Sequence, residues 1–159
     1  MKIVALSDTH GDNYCIYKSL EYIKTINPDI GLHLGDNTKD VEIYKRNLDI
    51  PIECVRGNCD FSSSAEDEKI IELCGKKIFI THGHFYGVKE GMQRLLYRGL
   101  ELKVDIVLYG HTHISNILFE EGLWIINPGS VSLPRKGQNS LAIIDIEGSK
   151  VTPSIMLID

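Results

Sequence analysis

The sequence predicts an α/β fold in which two β-sheets pack face to face with helices outside. Three observations carry this expectation. Short apolar runs alternate with segments of helical period through much of the chain. Several of these runs end abruptly in a polar block beside a glycine. From residue 116 onward the pattern becomes strands joined by tight turns, with no helix between them.

Ile3 to Leu6 reads as a buried first strand that delivers Ser7-Asp8-Thr9-His10-Gly11-Asp12 at its carboxyl end. Ile16, Leu20 and Ile23 recur at helical spacing behind it; Asp12 is suited to cap that helix and Asn27-Pro28 to stop it. Asp29 to Leu34 is a second strand, with His33 expected in the interior and Gly35-Asp36-Asn37 at its end. A weaker helical pattern through Val41, Tyr44 and Leu48 leads to Pro51 and a third strand, Ile52 to Val55. That strand ends in Arg56-Gly57-Asn58-Cys59-Asp60. After the loop-like Phe61 to Ala65, the runs Ile70 to Leu73 and Ile78 to Ile80 form a hairpin about Cys74-Gly75-Lys76. The second of them ends in Thr81-His82-Gly83-His84. Val88, Met92, Leu95, Leu96, Gly99 and Leu102 mark an amphipathic helix. Ile106 to Tyr109 is another buried strand, ending in Gly110-His111-Thr112-His113. The strands Asn116 to Phe119, Leu123 to Ile126, Ser140 to Ile146 and Val151 to Ile158 are expected to close the chain as an antiparallel meander.

Composition narrows the partners. The 159 residues, 43% hydrophobic and 25% charged, suit one domain spanning 1–159 with a full core. A formal charge of -5 argues against a wide basic footprint for duplex nucleic acid or an anionic membrane. The apolar start is too short for a signal core, and no run approaches the length of a membrane span. Cys15, Cys54, Cys59 and Cys74 lack Cys-x-x-Cys spacing, so free thiols and a cytoplasmic location are expected.

In sheets with right-handed βα crossovers, ligands collect at the carboxyl ends of strands, so the polar blocks should converge on one edge. They bring Asp8, His10, Asp36, Asn58, His82, His111 and His113, which are two carboxylates, one amide and four imidazoles. A mixed nitrogen and oxygen set without thiolate suits Mn, Fe, Zn, Ni or Co better than Ca or Mg. Seven ligands exceed what one ion uses. A bridging carboxylate would let two ions, roughly 3.5 to 4 Å apart, share a water and face a phosphoryl group.

The ordered set Asp8-x-His10, Gly35-Asp36, Gly57-Asn58, His82-Gly83 and Gly110-His111-x-His113 resembles the calcineurin-like metallophosphoesterases. Gly57-Asn58-Cys59-Asp60 and Asn127-Pro128-Gly129-Ser130 are similar to motifs of the small single-domain prokaryotic phosphodiesterases in that superfamily. The resemblance runs from residue 4 to about residue 130. It implies a four-layer α/β/β/α sandwich of two mixed sheets and a binuclear centre, with Mn the leading metal and Ni, Zn, Fe or Co alternatives. Asp8, His10 and His113 would hold one ion, Asn58, His82 and His111 the other, with Asp36 bridging. A hydroxide between the ions would attack the phosphorus of a small phosphodiester.

The chain departs from the wider superfamily at Cys59, where many members carry the histidine taken to protonate the leaving group. Cys59 is read as a small, semi-buried packing residue, with a thiol poorly matched to that role at neutral pH. His84 is the other candidate donor or phosphate-orienting group. Asp60 is placed to hydrogen-bond a ligand residue, and Arg56, Arg135 and Lys136 are candidate phosphate contacts, Lys136 more simply a solvated one.

Two other readings compete. One is a protein-binding scaffold on the same fold, like the retromer scaffold subunit; the intact histidines argue against it. The other is a nuclease of the superfamily, which the acidic, single-domain chain disfavours. A homo-oligomer through an edge of the closing strands is also open.

Overall fold

The structure, a computed structural model, describes residues 1–159. Its first sheet contains β1 (Lys2–Leu6), β2 (Ile30–His33), β3 (Ile52–Cys54), β9 (Asn139–Glu147) and β10 (Lys150–Ile158), in the order β10-β9-β1-β2-β3. The second contains β4 (Glu68–Leu73), β5 (Lys76–Thr81), β6 (Ile106–Leu108), β7 (Ser115–Glu120) and β8 (Leu123–Pro128), in the order β4-β5-β6-β8-β7. β1, β2 and β3 run parallel, as do β5, β6 and β8, while the flanking pairs β1–β9, β9–β10, β4–β5 and β7–β8 are antiparallel. Both sheets are therefore mixed.

Alternation along the strands builds the layers. In β1, Ile3 and Ala5 face the second sheet, joining Leu32, Ile78, Ile80, Ile106, Leu108 and Ile144 in the central core. Val4 and Leu6 point the other way, against Ile16, Leu20 and Ile23 of α1 (Asn13–Ile26). In β5, Phe79 likewise turns outward, against Leu95 and Leu96 of α3 (Gln93–Leu102). Each such fully buried aliphatic side chain contributes about 1.5–3 kcal/mol relative to exposure. The result is the four-layer α/β/β/α arrangement. No helix is long and apolar enough to cross a membrane.

Local signals explain the helix ends. Asp12 caps α1 by accepting the Cys15 N–H at 3.0 Å, and Asn27, in the left-handed conformation, donates its N–H to the Ile23 carbonyl. The weaker pattern becomes a 3-10 turn, Thr38–Asp40, leading into α2 (Val41–Asn47). α3 begins later than the apolar stripe implies. Gly87 and Gly91 weaken helix formation there, so Val88 packs in the core from a turn.

The closing strands depart from a single meander. They form two hairpins, β7–β8 in the second sheet and β9–β10 in the first. Ile125 and Ile126 of β8 pair in parallel with Val107 and Leu108, whereas Ala142 and Ile144 of β9 pair with Ala5 and Ile3. Between the hairpins, Gly129 to Gln138 crosses from one sheet to the other beside the carboxyl ends of β1 and β6, with the Val131 N–H bonded to the Ser7 carbonyl.

Candidate metal centre

The loops that follow β1, β2, β3, β5 and β6 meet at one edge of the sandwich. Five of the seven candidate ligands adopt positive φ there: Asp8 (57°), His10 (47°), Asp36 (58°), His111 (66°) and His113 (57°). Non-glycine residues rarely take this conformation, and such strain concentrates at functional sites. Two glycines let the loops close on each other. A Cβ at Gly57 would overlap the Asp36 carboxylate, and one at Gly110 would overlap Ser7 and press on Asp8.

Asp8 is fully buried at the centre. Its Oδ1 lies 3.1 Å from His113 Nε2 and 3.9 Å from the Nε2 atoms of both His10 and His82, while Oδ2 accepts the His111 N–H at 3.2 Å. Asp36 turns its oxygens in different directions, Oδ1 to within 3.5 Å of His82 Nε2 and Oδ2 to within 4.0 Å of His10 Nε2. Ligand atoms of Asp8, His10, Asp36 and His113 lie within 4.8 Å of one another. The His111 ring packs 5.1 Å from that of His82, and Asn58 sits exposed at the rim with its Nδ2 donating to Cys59 Sγ at 3.5 Å.

The tautomers follow from the outer contacts. A carbonyl can only accept, so His82 Nδ1–H donates to the Leu34 carbonyl at 2.8 Å and His113 Nδ1–H to the Leu133 carbonyl at 2.7 Å. In the neutral rings both Nε2 lone pairs are then directed inward, at carboxylates that can only accept. Asp8 Oδ1 and His82 Nε2 are accordingly buried with no hydrogen-bond partner. Buried polar atoms are seldom left unpaired, and acceptors that converge call for a cation. The donor set fits a divalent ion.

Electrostatics point the same way. Burial works to lower His82, but the Asp36 and Asp8 carboxylates overcome it and raise it above the ordinary imidazole value; His113 is raised chiefly by Asp8. Burial would raise Asp36, yet the His82 imidazole and the Cys59 N–H hold it well below the usual carboxylate range. Asp8 is likewise lowered, burial being outweighed by His113 and His82. His111 differs: burial, with the His82 charge, pushes it down to about 4.

Cys59 is exposed, a correction to the packing reading: its backbone N–H is held by Asp36 Oδ1 at 2.9 Å, which leaves the side chain at the surface. Local desolvation and the Asp36 carboxylate push its thiol up to about 11. His84 lies beside the centre, its ring 5.4 Å from His82 and its Nδ1 buried without a partner. Arg56 is paired with Asp67, which holds its guanidinium through contacts of 2.6 and 3.1 Å.

Sequence reasoning gave Asp60 a supporting role but not its extent. Its carboxylate accepts the backbone N–H groups of Asp36, Asn37, Thr38 and Gly57 and the Thr38 hydroxyl. Asp40 and Ser132 went unnoticed, and Ser130 was marked only as the end of the Asn127-Pro128-Gly129-Ser130 motif. Asp40 accepts the Gly11 N–H at 2.9 Å, and the two serine hydroxyls donate to the Asp8 carbonyl at 2.8 and 3.1 Å. Asp40 carried no signal beyond standing three residues after Asn37.

Known proteins place this architecture. A probable metallophosphoesterase of Bacillus subtilis is 34% identical, over 96% of this chain and 88% of the relative. A phosphodiesterase of Methanocaldococcus jannaschii is 32% identical, over 92% and 94%. A crystal structure of an uncharacterized, predicted phosphoesterase from Streptococcus pneumoniae superposes with a TM-score of 0.83, at 29% identity over 98% of this chain and 88% of that one. Vps29 of Entamoeba histolytica shares the fold, with a TM-score of 0.80 at 22% identity, over 98% of each chain. The family model for the calcineurin-like phosphoesterase superfamily domain matches residues 1–149, and the chain belongs to that superfamily.

Proposed function

We propose that this protein is a metal-dependent phosphodiesterase acting on small phosphodiesters, with Asp36 shared between two divalent ions and Mn the leading metal. The observation that carries the reading is the divergence of the Asp36 oxygens, one toward His82 and the other toward His10. A single carboxylate so oriented serves two neighbouring positions. Asp8, His10 and His113 would complete one of them, and His82, His111 and Asn58 the other.

Divalent ions held there would lower the pKa of a bound water toward neutrality and offset the charge of the phosphoryl oxygens. The chain supplies the rest. The Leu34 and Leu133 carbonyls fix the imidazole planes, and the backbone contacts of Asp8 and Asp36 fix the carboxylates. As proton donors to the leaving group, the Cys59 thiol, pushed up to about 11, keeps its proton at neutral pH but is a weak donor, and His84, whose ring lies 5.4 Å from that of His82, is the other candidate. Activated esters, whose departing groups need little protonation, should therefore be the better substrates.

The likeness to Vps29 concerns the fold. The convergence of unpaired acceptors in this chain favours the enzyme over a scaffold.

The test is hydrolysis of an activated aryl phosphodiester and its matching monoester, after stripping metal and restoring Mn, Ni, Zn or Mg singly, with Asp36→Asn alongside. The expected result is Mn-dependent diester turnover that exceeds monoester turnover and falls more than about a hundredfold in the variant, beyond the loss typical of residues that only orient ligands. A folded protein without turnover under any ion would overturn the reading and favour the scaffold.

A further inference from the structure

We propose that the cavity beside the His111-Thr112-His113 turn is a subsite for a second anionic group, carried on an apolar body, of the phosphodiester substrate. This rests on the phosphodiesterase reading above and names which diesters the site prefers.

Two cavities flank the candidate metal centre, and their charges differ. The one on the side of the first sheet, about 650 Å³, runs along residues 37–69. Its lysines are largely engaged: Lys45 pairs with Glu42 at 3.6 Å, and Lys69 with Glu66 at 3.5 Å and Glu53 at 3.0 Å. The one on the side of the second sheet, about 470 Å³, is backed by Val88, Tyr109 and Ile114 and walled by Lys89 and Arg135. Neither of these cations forms an ion pair, whereas Arg56, Lys69, Lys76 and Arg98 all do. No carboxylate lines this second cavity.

Position ties it to the reaction. Thr112 lines the cavity and stands between two candidate ligands. The Arg135 N–H donates to the His113 carbonyl at 3.0 Å, which fixes the start of its side chain one residue-width from the centre. A diester whose phosphorus lies at the centre can thus extend one arm over Thr112 onto Val88 and Tyr109, with its own charge between Lys89 and Arg135. The volume falls within the usual range for small-molecule sites, and uncompensated cations on an acidic protein favour an anion there.

The experiment compares p-nitrophenyl phenyl phosphate with p-nitrophenyl 3-carboxyphenyl phosphate on the Mn-loaded protein. Wild type should favour the carboxylated diester by about tenfold in kcat/KM, chiefly through KM, as expected for two partly exposed ion pairs. The preference should shrink as salt is raised. Lys89→Gln combined with Arg135→Gln should bring the ratio near one, while Lys39→Gln, in the other cavity, should leave it in place. Equal kcat/KM in wild type, or a preference that survives the double variant, would overturn the subsite. Calorimetric titration of phenylphosphonate and 3-carboxyphenylphosphonate reads the same preference without turnover. If no ion supports hydrolysis, the phosphodiesterase reading fails, and this titration still decides the subsite: a preference lost in the double variant supports it, and equal binding removes it.

Discussion

The loops of the two sheets meet at one centre but are fastened differently. On the first sheet, buried carboxylates outside the candidate ligand set do the fastening. Asp60 gathers five donors from the loops after β2 and β3, and Asp40 ties Gly11 to Asn37. On the second sheet, apart from the bond from the His111 N–H to the Asp8 carboxylate, the fasteners are neutral. Asn127 donates to the Gly110 carbonyl at 2.9 Å and to Thr112 Oγ1 at 3.0 Å, and Ser130 links Asp8 to Leu133. Hydrogen bonds to a charged partner are roughly twice as strong as neutral ones. The loops that must present Asp36 and Asn58 are therefore held harder than those presenting His111 and His113. Holding them with further anions also deepens the negative potential that a metal cation would answer.

Breaking one fastener on each side measures the contrast. Asp60→Asn replaces one carboxylate oxygen by an amide NH2, so at least two of the five donors lose their acceptor. At about 1.5–3 kcal/mol for each bond to a charged group, the loss of stability should reach about 3–6 kcal/mol, and metal-dependent activity should fall about 10–100-fold. Ser130→Ala should cost about 1 kcal/mol and only a few-fold in activity. Denaturant melts and Mn titrations of the two variants decide it. Equal losses would mean that charge is not what distinguishes the two sets of loops.

This asymmetry was only partly legible in the sequence. The strand ends could be read because a buried run followed by a polar block beside glycine is a local pattern, and Asp12, His33 and the hairpin about Gly75 followed from neighbours in the chain. The candidate ligands could be assembled because they stand at those ends. What stayed hidden depends on register and on crossings between sheets. Ser130 reaches the Asp8 carbonyl across 122 residues, and β8 and β9 divide between sheets according to partners that neither strand reveals. Cys59 misled for a related reason. Cysteine usually packs inside, and only the contact from its N–H to Asp36 shows why this one faces outward.

The harder-held side also carries a buried histidine, which pH can probe. His33 accepts the Gly35 N–H at Nδ1, so its Nε2–H faces Thr9 Oγ1 at 3.2 Å, and burial pushes its pKa to about 4 despite Asp8, Asp40 and Asp60 nearby. From its ordinary value of 6.5 down to about 4, the unfolded chain binds a proton that the folded protein refuses. Stability is thus lost as pH falls through that window, by up to about 3 kcal/mol from this residue. His111 acts in the same direction. His82 and His113, raised when folded, contribute stability that is complete below 6.5 and fades only at higher pH. Asp8 and Asp36, lowered when folded, matter only below 3.8. His33→Gln should flatten the decline in metal-free protein between pH 6.5 and 4.5, whatever it costs at pH 7.5. Parallel slopes for variant and wild type in denaturant melts would remove His33 from this account.

The smallest expected effect separates position from chemistry at Cys59. The residue is anchored through its N–H to Asp36, so its side chain starts from a fixed point at the rim. A thiol near 11 holds its proton too tightly to protonate an alkoxide efficiently at neutral pH, whereas an imidazole there would titrate close to the working range. Cys59→His should accordingly raise turnover of diesters with alkyl leaving groups by about tenfold, well below the full reach of general acid catalysis because the side chain is exposed. Turnover of p-nitrophenyl diesters, whose leaving group departs unprotonated, should change by less than about twofold. A uniform change across both classes would mean that residue 59 acts on the metal-bearing loop through Asp36, and His84 would then be the donor to replace next.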